Sequence, residues 1–540
     1  MSKGVVTTHA GAVRGIEADG VWSYRAIPYA AAPVGHLRFR PPQPVPAWAG
    51  VRDASSFGSV APQSPSGIGS YFPGDPVEQA EDCLTVNVWT PVPRRGPLPV
   101  MVYVHGGAFC NGSGSSVMYR AERLASRGVV VVTFNYRLGA LGFLAHPALV
   151  DEESGGFGNW GIHDQIAALR WVRDNVGAFG GDPSNVTVFG ESAGAMSICD
   201  LLATPAARGL FRRAIAESGA ALAIDPPPAA RIAERLAGQL GLAEFSRDAL
   251  AGVPADELIG AQIAVNAEVD AGAGLPFQPV VDGGLLARHP EDAVVAGSSA
   301  GVELLIGSNR DEFKLFSFAV LARRELSEAE AERLVGRYLR GAGLEDEALA
   351  GDAIAEYRRA RHDRGEPATA RALFDAIVTD WIFRVPQLRL AEAHRSRTPA
   401  TYAYLFDWPS PFAGGGLGAC HGVELPFVFG TVHEPIIGLF SGSGEDAFRL
   451  SDEMQASWVA FARSGDPSND LAGSWPRYEA TRRATMRFGP RTGLVDAPYE
   501  SERQFWERRL GRYGVDGPIE GARRRDVALV APEDSEHVGT

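Results

Sequence analysis

The chain has little cysteine, no long apolar run and no surplus of positive charge, and each shortage removes a class of function. Its four cysteines, Cys83, Cys110, Cys199 and Cys420, lie far apart in 540 residues and show no metal-ligand spacing. A reduced, cytoplasmic setting is expected. No stretch reaches the about 18 consecutive apolar residues of a membrane span. The opening "MSKGVVTTHAGAVRGIEADG" lacks the roughly 7–15-residue apolar centre of a secretion signal. A net charge of −14 leaves no cationic excess to neutralise phosphates, which argues against a nucleic-acid partner. The hydrophobic fraction, 45%, is ordinary for a globular protein and is enough for a large core at this length. At ~150 residues per domain, length alone suggests about three or four domains.

What is present is a series of short Val-rich runs ending in glycine-rich loops. "PLPVMVYVHGG" (97–107), "GVVVVTFNYR" (128–137), "NVTVFGES" (185–192), "VELLIG" (302–307) and "TYAYLFDW" (401–408) read as strands apolar on both faces, as in a buried parallel sheet. Between the second and third, Ile166, Leu169, Val172 and Val176 recur at helical spacing, and "GGDP" stops that helix. Strands alternating with helices predict an α/β sheet, which carries its chemistry on loops at the strands' C-terminal ends. The stretch from about 225 to 375, rich in Ala, Glu and Arg, reads as helical material over the sheet. Within it, Ser327 and Glu330 predict a capping box. The last residues, with few bulky apolar groups, read as a loosely held tail.

The motif "TVFGESAGAM" (187–196) places Ser192 between Gly190 and Gly194, after a strand pattern and before a helix pattern. This is the context in which G-x-S-x-G forms a sharp elbow that exposes a serine oxygen. The backbone N–H of Ala193 then lies at a helix N-terminus, and "HGGAF" (105–109) supplies a second loop whose glycines let N–H groups face a developing oxyanion.

The base must be a histidine. In the chain order serine, acid, histidine, most of the eleven histidines fall away by position or surroundings, leaving His421 and His433. "GGGLGACHGVELPFVFG" favours His421, which follows a glycine run on a plausible mobile loop. The acid belongs on a loop after a later strand, and "VELLIGSNRDEF" offers both Asp311 and Glu312. Spacing does not choose between these neighbours.

Much of the chain resembles the type-B carboxylesterases, a family of α/β hydrolases. The resemblance runs from "AIPYAAAPVGHLRFRPPQP" (27–45) through "EDCLTVNVWTP" (81–91), "NYRLGALGF" (135–143) and the elbow region to "HGVELPFVFG" and "WVAFARSGDP" (458–467). It implies an α/β-hydrolase fold, with a large, mostly parallel sheet flanked by helices. It also implies one catalytic domain over residues 1–515, helical insertions at about 225–375 covering the site, and a tail at 516–540.

Carried over residue by residue, the resemblance implies a triad of Ser192, Glu312 and His421, so that glutamate is chosen over Asp311. Gly107, Ala108 and Ala193 become the oxyanion donors, with Gly106 supporting their turn. Glu191 becomes a pocket-lining neighbour of the nucleophile, and Ser218 of "ESGA" a hydrogen-bonding residue near the triad. No metal or organic cofactor is required. The expected partner is a small-molecule ester, hydrolysed through an acyl-enzyme by a monomer or weak homo-oligomer. A carbamate or amide hydrolase using the same triad is the alternative, and a non-catalytic binding relative a more distant one. Two departures carry meaning. No cysteine precedes Cys83, so the disulfide of secreted relatives is absent. Where choline-binding relatives place a tryptophan, this chain has Tyr71 and Phe72, which predicts poor capture of quaternary ammonium.

Overall fold

The computed structural model describes residues 4–64, 78–92, 96–268, 275–322, 324–341, 344 and 346–510. Tyr71, Phe72 and the expected tail at 516–540 lie outside the described residues. The strands in chain order are β1 (Val5–Thr7), β2 (Ala12–Arg14), β3 (Ile16–Ala18), β4 (Val21–Pro28), β5 (Val51–Asp53), β6 (Thr85–Pro91) and β7 (Leu98–Val104). They continue with β8 (Val130–Phe134), β9 (Gly181–Glu191), β10 (Arg213–Glu217), β11 (Glu303–Asn309), β12 (Thr401–Phe406), β13 (Ala484–Phe488) and β14 (Gly493–Asp496). β1, β2 and β5 form a small sheet. The other eleven make one sheet in the order β14-β13-β12-β11-β10-β9-β7-β8-β6-β4-β3. Pairing is parallel from β8 through β13 and antiparallel toward both edges. This is the mostly parallel, helix-flanked sheet expected of an α/β hydrolase.

The two-residue period of a strand explains why these runs are apolar throughout. In β7, Val100, Val102 and Val104 enter the core on one face, whereas Met101 and Tyr103 enter the core on the other. Leu304 and Ile306 against Leu305 in β11 repeat the pattern. Helix Trp160–Asn175 covers the first face with Ile162, Ile166, Leu169 and Val172. Helix Glu445–Ser464 covers the second with Leu450, Met454, Trp458 and Phe461. β9 begins at Gly181, four residues earlier than the apolar run suggested, because Gly181 pairs with Leu98 ahead of a register shift. "GGDP" therefore both ends a helical segment and opens a strand.

The helical material expected at 225–375 falls into two blocks, because β11 of the central sheet lies between them. The second block has its own core, in which Val335, Leu339, Tyr357, Leu373, Ile377 and Trp381 pack with Trp506 of the final helix, Glu500–Leu510. Its helix Glu328–Gly341 opens with the expected capping box: Ser327 N–H donates to Glu330 Oε2 at 2.9 Å, and Glu330 N–H to Ser327 Oγ at 3.3 Å. Among the described residues no helix is long and apolar enough to cross a membrane, and all four cysteines are buried free thiols.

Candidate active site

The parallel strands β7, β9, β10, β11 and β12 all end at one edge of the sheet, and the loops that follow them carry the candidate residues. β9 delivers Ser192, in a turn so sharp that its backbone adopts φ 57°, ψ −124° before helix Ala193–Ala203 begins. That conformation is strained for a residue with a Cβ, and it is held by Ser192 N–H donating to Glu217 O at 2.9 Å. The flanking glycines are steric requirements. A Cβ on Gly190 would lie 2.6 Å from Val104 O, and one on Gly194 would press into the same peptide. The side chain of Ser192 is half-buried.

The loop after β7 packs directly on this elbow: a Cβ on Gly106 would sit 2.7 Å from Glu191 O and 3.0 Å from Ser192 Cβ. Gly107 has φ +115°, and the left-handed turn continues through Ala108 (φ 54°) and Phe109 (φ 59°). Phe109 O accepts from Gly139 N at 2.7 Å, which anchors the turn. Among the described residues no hydrogen bond takes up the N–H of Gly107 or Ala108. Ala193, first in its helix, has no intrahelical acceptor for its own N–H. Three donors thus stand around the elbow, where an oxyanion could collect them.

The loops after β11 and β12 bring Glu312 and His421 together. His421 Nδ1 lies 2.7 Å from Glu312 Oε2, and both groups are buried. The other oxygen of Glu312 accepts Asn309 N–H at 2.7 Å. Asp311 points elsewhere: it accepts Ala419 N–H at 3.0 Å and is paired with Arg310 and Lys314, so it ties the acid's loop to the histidine's. Burial alone would raise the Asp311 carboxyl, but Lys314 and Arg310 outweigh it and hold the group at about 2. His433 is remote from this arrangement, stacked on Phe448 at 4.0 Å. Cys420 is a fully buried packing residue whose carbonyl accepts from Asn309 Nδ2.

His421 Nε2 makes no hydrogen bond. It lies 3.1 Å from Glu191 Oε1, but the two atoms are not aligned for one. Burial pushes the Glu191 carboxyl well above its usual range, and Glu312 and Glu217 push it further. Ser218, at φ 53°, donates through Oγ to Glu424 Oε1 at 3.4 Å, and Asn309 Nδ2 donates to Glu424 Oε2. Glu424 is also raised by burial and by the carboxyls of Glu191, Glu312 and Glu217. Glu217, bonded by Trp458 Nε1 at 2.6 Å, is pushed up by burial to about 8.

Sequence reasoning did not select Glu217, Glu424, Asn309, Phe316 or Phe383. The first two sit in stretches that caught attention for other residues, "ESGA" and "HGVELPF". Phe316 and Phe383 place their ring centroids 5.1 and 4.8 Å from the His421 ring, across chain separations that no local pattern announces. Among the described residues no group of three or more His, Cys, Asp or Glu is arranged to hold a metal ion.

Comparison with known proteins finds relatives along most of the chain. The carboxylesterase family matches residues 2–506. The para-nitrobenzyl esterase of Bacillus subtilis (strain 168) is 39% identical over 510 residues, 93% of this chain and 98% of that protein. The fumonisin B1 esterase of Sphingopyxis macrogoltabida is 38% identical over 503 residues, 90% of this chain and 86% of that one. A solved PNB esterase structure superposes with a TM-score of 0.82 at 38% identity, covering 93% of this chain and 99% of that one.

Proposed function

The chain belongs to the carboxylesterase family, and from that premise we propose that Ser192, Glu312 and His421 are its catalytic triad. The protein is a carboxylic ester hydrolase with an α/β-hydrolase fold. The observation that carries the triad is the Glu312–His421 pair at 2.7 Å, on the strand edge that also presents the strained Ser192 elbow.

His421, carrying its proton on Nδ1 toward Glu312, takes the Ser192 proton through Nε2 as Ser192 Oγ attacks the ester carbonyl. The N–H groups of Gly107, Ala108 and Ala193 receive the oxyanion, with Gly106 letting their loop lie against the elbow. His421 then gives its proton to the departing alcohol, and water hydrolyses the acyl-enzyme by the same route. Glu191 lines the pocket, and Ser218 supports the triad through Glu424. The substrates are small neutral or aromatic esters, a reading supported by the aromatic rings beside the imidazole and by the relative named for p-nitrobenzyl esters. The free buried cysteines support a cytoplasmic setting.

Ser192→Ala tests this reading. A folded variant should lose several orders of magnitude in kcat toward p-nitrophenyl acetate, keeping only acceleration from binding and the oxyanion donors. Turnover near the wild-type rate would remove Ser192 from the mechanism.

A further inference from the structure

One element near the site has no part in the mechanism above. Between helices Ala370–Thr379 and Val385–Arg395, residues Asp380–Arg384 form a turn of π-helix. The chemistry of the chain explains its position. Pro386 has no N–H to give the carbonyl of Ile382, and its ring would collide with that carbonyl in a regular α-helix. Widening the turn relieves the clash and rotates the side chains of this segment relative to an uninterrupted helix.

The turn is fixed from within and from behind. Arg384 Nη1 donates to Asp380 Oδ1 at 2.5 Å, and Tyr357 OH donates to Asp380 Oδ2 at 2.6 Å. Trp506 Nε1 donates to Tyr357 OH at 2.7 Å, and the Arg384 guanidinium lies 4.2 Å from the centroid of the Tyr499 ring. Asp380, Arg384 and Tyr357 are all buried.

From this support the segment reaches the acid and the base together. Arg384 Nη2 donates to Arg310 O at 2.9 Å, two residues before Glu312. Thr379 Oγ1, at the end of the preceding helix, accepts Phe313 N–H at 3.0 Å, one residue after it. Phe383, buried in the same turn, lays its ring 4.8 Å from that of His421. Phe316 approaches the imidazole at 5.1 Å and lies nearly parallel to Phe383, at 12°.

We infer that the π-helical turn Asp380–Arg384 is a bracket for the acid and the base, in which Phe383 is a positioning residue for the His421 ring. The need for one is visible at Nε2. With no hydrogen bond of its own, this nitrogen stands 3.1 Å from Glu191 Oε1, so a small rotation about the Glu312 contact would commit it to Glu191 and make it unavailable to Ser192. The hydrogen bond at Nδ1 fixes one point of the ring and leaves that rotation open. The ring of Phe383, tilted 41° against the imidazole, opposes it together with that of Phe316, tilted 47°. The inference rests on His421 being the base.

The test is Phe383→Leu and Phe383→Met, which fill much of the volume without a flat face, with Phe383→Tyr as the conservative rescue. In each, kcat and KM for p-nitrophenyl acetate are measured beside the unfolding midpoint and the Cε1–H resonance of His421 in ¹³C-histidine-labelled protein. The His421→Gln spectrum assigns that resonance. Misplacing a catalytic group by about 1 Å can lose on the order of 100-fold in rate, so a drop of roughly 10- to 100-fold in kcat is expected, with KM changed less than about threefold. The resonance should move in the Leu and Met variants, and Tyr should restore both readouts. Wild-type kcat in either folded variant overturns the inference, as does failure of both to fold, which would make Phe383 a packing residue only. Retained activity in Ser192→Ala would instead overturn the triad itself, so the two failures are distinguishable.

Discussion

Neighbouring carboxylates with different surroundings allow the acid assignment to be tested sharply, through Glu312→Gln and Asp311→Asn measured side by side. Glu312 has two donors aimed at it, His421 Nδ1 and Asn309 N, each at 2.7 Å. A glutamine has one oxygen for two such positions. If its NH₂ faces Asn309, two buried donors oppose each other. If it faces His421, Nδ1 must accept and Nε2 must carry the proton, which is the wrong tautomer for a base. Either way the imidazolium loses its partner charge. Where an amide replaces a triad carboxylate, kcat falls by about 10⁴, or ~5 kcal/mol at about 1.4 kcal/mol per decade. A loss of roughly 10³ to 10⁴ is expected here.

Asp311→Asn should behave differently. Its acceptor for Ala419 N–H survives, but the pairs with Arg310 and Lys314 do not. The wild-type carboxyl, held at about 2 in the fold against an ordinary 3.8, contributes stability above the ordinary value. That contribution is lost as pH falls through about 2, and at neutral pH it amounts to ~2 kcal/mol. Asp311→Asn should therefore lower the unfolding midpoint and leave kcat within about one decade. The assay is p-nitrophenyl acetate turnover, normalised by burst titration of active sites, beside urea unfolding. A normally folded, inactive Asp311→Asn together with an active Glu312→Gln would refute the reasoning.

Two further expectations follow from burial and close approach. Glu217 stays protonated in the fold up to about 8, whereas the unfolded chain ionises it near 4.5, so the native state holds the extra proton between these values. Stability should fall as pH rises through that window, by up to about 1.4 kcal/mol per pH unit from this group. Glu217→Gln keeps an acceptor for Trp458 and should gain on the wild type progressively from pH 5 to pH 8 in urea unfolding; parallel curves would contradict this. Gly194→Ala forces a methyl against the backbone of Val104 and against His105 O at 3.0 Å, neither of which can swing aside. It should lose about 1–3 kcal/mol of stability and on the order of 100-fold in kcat, and wild-type turnover would show that the elbow has slack.

The sheet and the serine elbow were legible in the sequence because their signals are local. A strand buried on both faces is a continuous apolar run, and a strand-turn-helix elbow needs its glycines within two residues of the serine. The carboxylate that meets the imidazole was only half legible: residue types located the pair Asp311 and Glu312, but their directions depend on His421, 109 residues away. The resemblance settled that choice, and Glu312 is the one that faces the imidazole. Glu217 and Glu424 carried no signal, since a buried glutamate and a solvated one read alike until the fold supplies the neighbours. Phe383 was hidden for another reason. Pro386 reads as a helix boundary, and nothing in a one-dimensional pattern says that the chain will widen into a π-turn and continue.

The charge balance of the site follows from those unread residues. Four carboxyls, from Glu191, Glu217, Glu312 and Glu424, are buried around a single imidazole, and at such depth they cannot all be ionised. Burial and mutual repulsion push Glu191 and Glu424 well above the usual range, and burial, against a hydrogen bond from Trp458, holds Glu217 at about 8. Glu424 has donors of its own, but its oxygens face three other carboxyls. Glu312 differs from them in its contacts, since two donors at 2.7 Å converge on it. This distribution suits the reaction. Each ionised carboxylate beside an imidazole favours its charged form, and a protonated histidine cannot act as a general base. Carboxyls raised at Glu191, Glu217 and Glu424 keep their protons to higher pH than ordinary glutamates, and so place less negative charge around the ring. Raising the proton affinity of the surplus carboxyls is therefore how burial limits the negative charge around an imidazole in a site this rich in glutamate.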